Sequence, residues 1–164
     1  MATDAEALER LYRARYLAFR NGVAPIVGSY DDARDVVQEA FARALRSRGS
    51  FRGEGSLQAW VWRIAVRIAY ERRRAAFELD ANLGSVIDGA DPQLVEPERD
   101  EELAAALRGL PPRKRLVLFL RYFADLSYEE IAEVAEISAG TVAANLNQAR
   151  AALLERLSVE GAQR

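Results

Sequence analysis

The chain has 164 residues, half of them hydrophobic, and carries 23 Lys/Arg against 25 Asp/Glu for a formal net charge of −2. This length holds one medium domain or two small ones, and the dominance of Ala, Leu and Arg over β-branched residues favours an all-α chain. With no Cys and no His, disulfides, thiolate chemistry, Cys/His zinc sites and His general-base catalysis are excluded.

Residues 3–20 predict an amphipathic helix with Leu8, Leu11, Tyr12 and Phe19 as its buried stripe. Gly22 and Pro25 should break or kink it, and Gly28 closes this part. Asp31 or Asp32 starts the next helix, DDARDVVQEAFARALRS. Val36, Val37, Ala40, Phe41 and Leu45 are expected inward, with Asp32, Asp35, Gln38 and Glu39 on the outer side. Taken alone, these acids read as a solvated face near a helix N-terminus, where the macrodipole favours them.

The loop GSFRGEGS follows, its glycines too weakly patterned for a phosphate cradle. Residues 57–74, LQAWVWRIAVRIAYERRR, form the next helix, with Val61, Ile64, Ala65 and Ile68 as core stripe and Trp60 beside them. Arg63, Arg67, Tyr70 and Arg74 recur at spacings of four, three and four, and Glu71 is the one acid in the stretch. A merely solvated helix interleaves both signs. An unopposed Arg face holding Tyr70, with Trp62 nearby, suits phosphate contact and base stacking on a single strand.

Charge is distributed in blocks. Residues 1–76 hold 14 Arg against nine acids, residues 77–100 one Arg against seven acids, and residues 101–164 eight Lys/Arg against nine acids. The middle block contains Pro92 and Pro97 and shows no sustained helical period, so it is expected to be an acidic flexible linker. The expected organisation is therefore two small helical domains, 1–76 and 101–164, joined by a linker over 77–100.

The second domain begins with EELAAALRGL, stopped at Pro111-Pro112. RKRLVLFLRYFADL then supplies an apolar helix burying Leu116, Val117, Leu120 and Phe123. In SYEEIAEVAEISAGTVAANLNQAR, Ser127 caps a helix and Glu130 completes a capping box. Ile131, Ala132 and Val134 give that helix one buried face. Ile137 sits in a turn, Ser138 caps again, and Val142 with Leu146 continues the stripe. Small residues at the crossing, Ala132 and Ala135, allow the steep packing of a helix-turn-helix. On periodicity alone an ordinary αα-hairpin of a helical bundle is the favoured reading, and the rest of the chain has to decide. The last helix runs on through Leu153, Leu154 and Leu157. The longest apolar run of this half, Leu116–Leu120, is far too short to span a bilayer. The N-terminus lacks a basic n-region, so a cytoplasmic chain without membrane insertion, cofactor or metal is expected.

The two halves together resemble the extracytoplasmic-function (ECF) sigma factors, over about residues 8–157. Leu11-Tyr12, Gly28, DARDVVQEAF from Asp32 to Phe41, FRGEGSLQAW from Phe51 to Trp60 and Arg63–Ala65 look like the family's second conserved region. LPPRKR from Leu110, LRYFADLSYEEIA from Leu120 to Ala132 and Thr141-Val142 look like the fourth. The third region is absent, as this class implies. The resemblance implies that Asp32, Asp35, Gln38 and Glu39 dock on the clamp helices of the polymerase's largest subunit. It implies that Phe51, Arg52, Trp62, Arg63, Arg67, Tyr70 and Arg74 hold the melted −10 strand. The linker would thread the polymerase's RNA path, and the helix-turn-helix would bind the −35 element through Ser138, Thr141, Asn145, Asn147, Gln148 and Arg150. The flap of the second-largest subunit and an anti-sigma factor are further implied partners.

The chain departs from the family's pattern in its recognition helix, where TVAANLNQAR places Ala143, Asn145 and Gln148 at positions usually cationic and leaves only Arg150. Glu136 stands where the turn is commonly Gly, Arg67 where Asn is common, and Arg34 where an acid is common. Asn145, Asn147 and Gln148 can each pair bidentately with adenine, for about 1–3 kcal/mol of discrimination per contact. Three fewer phosphate contacts should flatten the salt dependence of −35 binding by roughly 2.7 log units per log unit of salt. The competing readings are a helix-turn-helix regulator with a sensing N-terminal half, and a polymerase-binding module with reduced −35 binding. No P-loop or paired catalytic carboxylates suggest an enzyme.

Overall fold

The computed structural model describes residues 3–83 and 101–162, all of whose regular elements are helical. The chain divides into two compact units, Met1–Leu94 and Val95–Arg164.

In the first unit three helices pack on one another: α1 (Asp4–Val27), α2 (Tyr30–Arg46) and α3 (Leu57–Leu83). Thr3 and Glu6 cap α1 reciprocally. The helix continues through Gly22 and Pro25 instead of stopping there. Gly22, Val23, Ala24 and Ile26 are all buried, so burial of this last turn and a half outweighs the lost Pro25 donor. Gly28, at φ +92°, ends α1 in the left-handed conformation, its N–H donating to the Ala24 carbonyl at 2.8 Å. Ser29 then caps α2 one residue earlier than the acids suggest.

The core joins Phe19 and Val23 of α1, Val36, Val37 and Ala40 of α2, and Val61, Trp62, Ala65 and Ile68 of α3. Leu45, expected inward, is 43% exposed. The buried stripe of α2 ends on Ala44, and Leu45 falls one position beyond it, about 100° round the helix. There it lines an open groove with Leu8, Tyr12 and Phe41. Ile64 is only half-buried, and Trp62, Val66 and Ala69 complete the buried face of α3. This helix runs to Leu83, so the first residues expected in the linker continue it. The rest of the expected linker, 84–100, lies outside the described residues.

In the second unit α7 (Ala139–Ala162) packs on α4 (Glu101–Arg108), α5 (Pro112–Tyr122) and α6 (Tyr128–Ala135). Pro112 occupies the first turn of α5, where its missing N–H costs nothing. Arg115 Nη2 donates to the Arg108 and Leu110 carbonyls at 3.0 and 3.3 Å, fixing the α4–α5 corner. Leu116, Val117, Leu120, Leu126, Ile131, Val142 and Leu146 form the core. Phe123, expected among them, is 62% exposed. It lies just past the end of α5 and stacks on Phe119, ring centroids 5.0 Å apart, while Ala124 and Leu126 turn inward.

Candidate nucleic-acid and polymerase surfaces

The outer side of α2 presents the expected acids with unequal freedom. Ser29 Oγ donates to Asp32 Oδ2 at 2.9 Å and accepts from the Asp32 N–H at 3.1 Å, so Asp32 also holds the cap. Asp35 and Gln38 are exposed. Glu39 is half-buried and accepts from Arg72 of α3 at 2.6 Å and Arg43 at 2.5 Å. The Arg72 hydrogen bond, partly opposed by burial and helped by Arg43, holds its carboxyl below the usual glutamate value. Glu39 thereby ties α2 to α3.

The basic stripe of α3 lies opposite the core. Arg63, Arg67 and Arg74 are exposed and Tyr70 half-exposed, while the residues buried along the helix project from the far side. Trp62, expected to stack on nucleic acid, is fully buried and stacks instead on Phe19. It falls one position before Arg63, about 100° away, which carries it towards the core. The tryptophan on the stripe, beside Tyr70, is Trp60, expected beside the core. It is half-exposed and precedes Arg63 by three, so Trp60, Arg63, Arg67, Tyr70 and Arg74 recur at three, four, three and four. That extension of the spacing was the available signal. Phe51 packs against Trp60, centroids 5.3 Å apart, and anchors the loop that carries exposed Arg52. Gly53 and Gly55, at φ +74° and +81°, let this loop turn back to Ser56, whose Oγ accepts from the Ala59 N–H at the start of α3.

In the second unit the helix-turn-helix forms as α6 and α7. Ser127 and Glu130 make the capping box. Glu136 closes α6 at φ 58°, ψ 44°, the left-handed conformation that favours glycine. Ser138 Oγ accepts from the Thr141 N–H at 3.1 Å and shares a 2.8 Å hydrogen bond with the Thr141 hydroxyl. Gly140, Ala144, Asn147 and Ala151, all exposed, form the outermost ridge of α7. Thr141 and Gln148 flank the ridge, exposed, and Asn145 is half-buried. Arg150 lies about 90° round from the ridge. Its Nε donates to the Tyr122 hydroxyl at 2.5 Å, with the guanidinium 5.3 Å from that ring's centre. The Tyr122 hydroxyl, and after it that of Tyr128, push the Arg150 pKa above its ordinary value. Thus the expected −35 residues do not share one face, and the lone cation among them is bound to α5.

Among the described residues no group of three or more His, Cys, Asp or Glu side chains could hold a metal, and no helix is long and apolar enough to cross a membrane.

Residues 6–76 match the Sigma-70 region 2 family and residues 100–153 the Sigma-70, region 4 family. The chain is 34% identical over 176 aligned positions to the ECF RNA polymerase sigma-E factor of Escherichia coli (strain K12), covering 92% of each. It is 32% identical over 161 positions to the RNA polymerase sigma factor YlaC of Bacillus subtilis (strain 168), covering 93% of each. Its fold is similar to that of the sigma factor RpoE from Bartonella quintana, solved with the anti-sigma factor NepR. The TM-score is 0.73 at 23% identity, over 92% of this chain and 98% of that one. It is also similar to CnrH, solved with the cytosolic domain of CnrY, with a TM-score of 0.64 at 24% identity over 93% and 88% of the two chains.

Proposed function

The chain belongs to the ECF sigma factors, which direct RNA polymerase to promoters, and on that premise we propose how its surfaces divide the work. The observation that carries the proposal is the stripe Trp60, Arg63, Arg67, Tyr70 and Arg74 on the solvent side of α3. Phosphates of a melted strand track the three guanidiniums, and unstacked bases lie on the aromatic rings, each such stacking contact contributing about 1–3 kcal/mol. Phe51 and Arg52 extend this surface into the neighbouring loop, where an extruded base can be held. Residues 1–76 are therefore the −10 and core-polymerase module, with Asp35 and Gln38 as the outward contacts to the clamp helices, joined by Asp32 and Glu39 at their capped and ion-paired positions. Residues 77–100 are the acidic connection along the RNA path, and residues 101–164 the −35 module, which also meets the polymerase flap.

Thr141, Asn147, Gln148 and the adjoining Ser138 and Asn145 read base edges from α7. A second reading, a module with weakened −35 binding, is favoured by one observation: the outer ridge of α7 holds no cation. An anti-sigma partner is proposed because the similarly folded RpoE of Bartonella quintana was solved with the anti-sigma factor NepR. The chain acts in the cytoplasm and performs no covalent chemistry of its own.

Run-off transcription with purified core polymerase tests the assignment. A specific start that disappears in the triple variant Arg63→Ala, Arg67→Ala, Arg74→Ala, with core binding intact, supports it. Core binding without a specific start by the unmodified chain rejects it.

A further inference from the structure

Arg150 is the one Lys or Arg in the first half of α7, yet its surroundings are those of an interhelical fastening. Its Nε–H is spent on the Tyr122 hydroxyl of α5 at 2.5 Å, and its plane lies near the same ring. Tyr128, at the start of α6, sits under a second guanidinium, Arg121 of α5, 5.0 Å from its centroid. Arg121 Nη1 in turn donates to the Leu126 carbonyl at 3.0 Å, in the segment joining α5 to α6. Two cations and two phenols thus link α5 to the start of α6 and to the middle of α7. Thr141 and Arg150 are nine positions apart, which is 180° of helix rotation, so the two project from opposite sides of α7.

We propose that Arg150, held by Tyr122, is a positioning residue that sets the angle of the recognition helix, and that the −35 element meets a helix face without a cation, read by Thr141, Asn147 and Gln148. The inference rests on the −35 role given above to residues 101–164. A guanidinium fixed on α5 stiffens the helix against its neighbours, and discrimination between bases depends on that stiffness because bidentate amide contacts tolerate little misplacement. Affinity for the bare phosphate backbone does not depend on it in the same way, since no phosphate is neutralised by this side chain.

The test uses the full chain assembled with core polymerase, on a promoter fragment and on the same fragment with its −35 element scrambled, across a salt series. Tyr122→Phe removes one oxygen and keeps the ring. Arg150→Lys keeps the charge and loses the Nε donor. Both should lower the preference for the intact −35 element by about 2- to 10-fold, the worth of one hydrogen bond, with the salt slope unchanged. Arg150→Ala should likewise leave the slope unchanged. The proposal is overturned if Arg150→Ala flattens the slope by about 0.9 while Arg150→Lys binds normally and Tyr122→Phe is silent, for Arg150 would then touch phosphate. If the unmodified assembly ignores the −35 element, the −35 reading itself fails. The fastening is then judged by amide exchange over residues 139–146 of the free chain. About 2- to 10-fold faster exchange in Tyr122→Phe supports it, and unchanged exchange overturns it.

Discussion

The Trp62 indole lies flat on the Phe19 ring, centroids 4.2 Å apart and planes 16° from parallel, and neither side chain reaches solvent. This pair joins α3 to α1, so Trp62→Ala should destabilise the first unit by about 3–5 kcal/mol, the usual cost of removing a buried large aromatic. Urea unfolding followed by circular dichroism measures it, and a loss below 1 kcal/mol would contradict the burial.

The two tryptophans separate cleanly by fluorescence. With Trp62→Phe, Trp60 is the only indole left in the chain, and single-stranded −10 DNA should quench it, read as the difference from a chain carrying both Trp60→Phe and Trp62→Phe on the same core polymerase. With Trp60→Phe, the remaining buried Trp62 should show no quenching. Quenching of Trp62 instead would mean that the first unit opens on binding.

Arg63 and Arg74 should each contribute one phosphate contact to the captured strand. Each alanine substitution is expected to reduce the salt slope of single-strand binding by about 0.7. Unchanged slopes would place the strand on another face of α3.

The Glu39 carboxyl is held below its usual value by Arg72 and Arg43. Its contribution to stability, up to about 1 kcal/mol for partly exposed partners, is complete above a pH of about 4.3, the unfolded value. It is lost as pH falls through the lower folded-state value. The urea midpoints of the unmodified chain and Glu39→Gln should differ at pH 7 and converge towards pH 3. A gap that widens on acidification would be inconsistent with this ion pair.

Glu136 occupies a left-handed position at the turn of the helix-turn-helix. Glu136→Gly should stabilise the second unit by about 1 kcal/mol, raising its melting temperature by about 4–8 °C. On the proposed −35 role of this module, removing the acid should also tighten −35 binding at low salt. A lower melting temperature would show that the side chain's interactions outweigh the backbone strain.

Asn147→Ala should cost about 1–3 kcal/mol of discrimination at a single −35 base pair, detectable by competition with single-base variants of the element. A uniform loss across all variants would assign Asn147 to the backbone instead.

Much of the candidate site was legible because its spacing was helical. Arg63, Arg67, Tyr70 and Arg74 needed only a 3.6-residue period to fall on one face, and Ser127 with Glu130 needed only the chemistry of a helix start. Phe123 and Leu45 were misplaced for the opposite reason. Each lies at an element's end, where one residue more or less of helix turns a side chain from core to solvent. Trp60 and Trp62 are both large and apolar, so composition does not tell them apart, and Trp62 is buried by Phe19, more than 40 positions away in the chain.

The residues by themselves determined the helices, their caps, the charge blocks and the motif order that marks a sigma factor, since all of these are set by neighbours within a few positions. Tertiary packing alone decided that α1 passes through Pro25, that Glu39 belongs partly to Arg72, and that Arg150 turns to Tyr122. Each depends on a partner brought close only by folding, and local sequence carries no record of that distance.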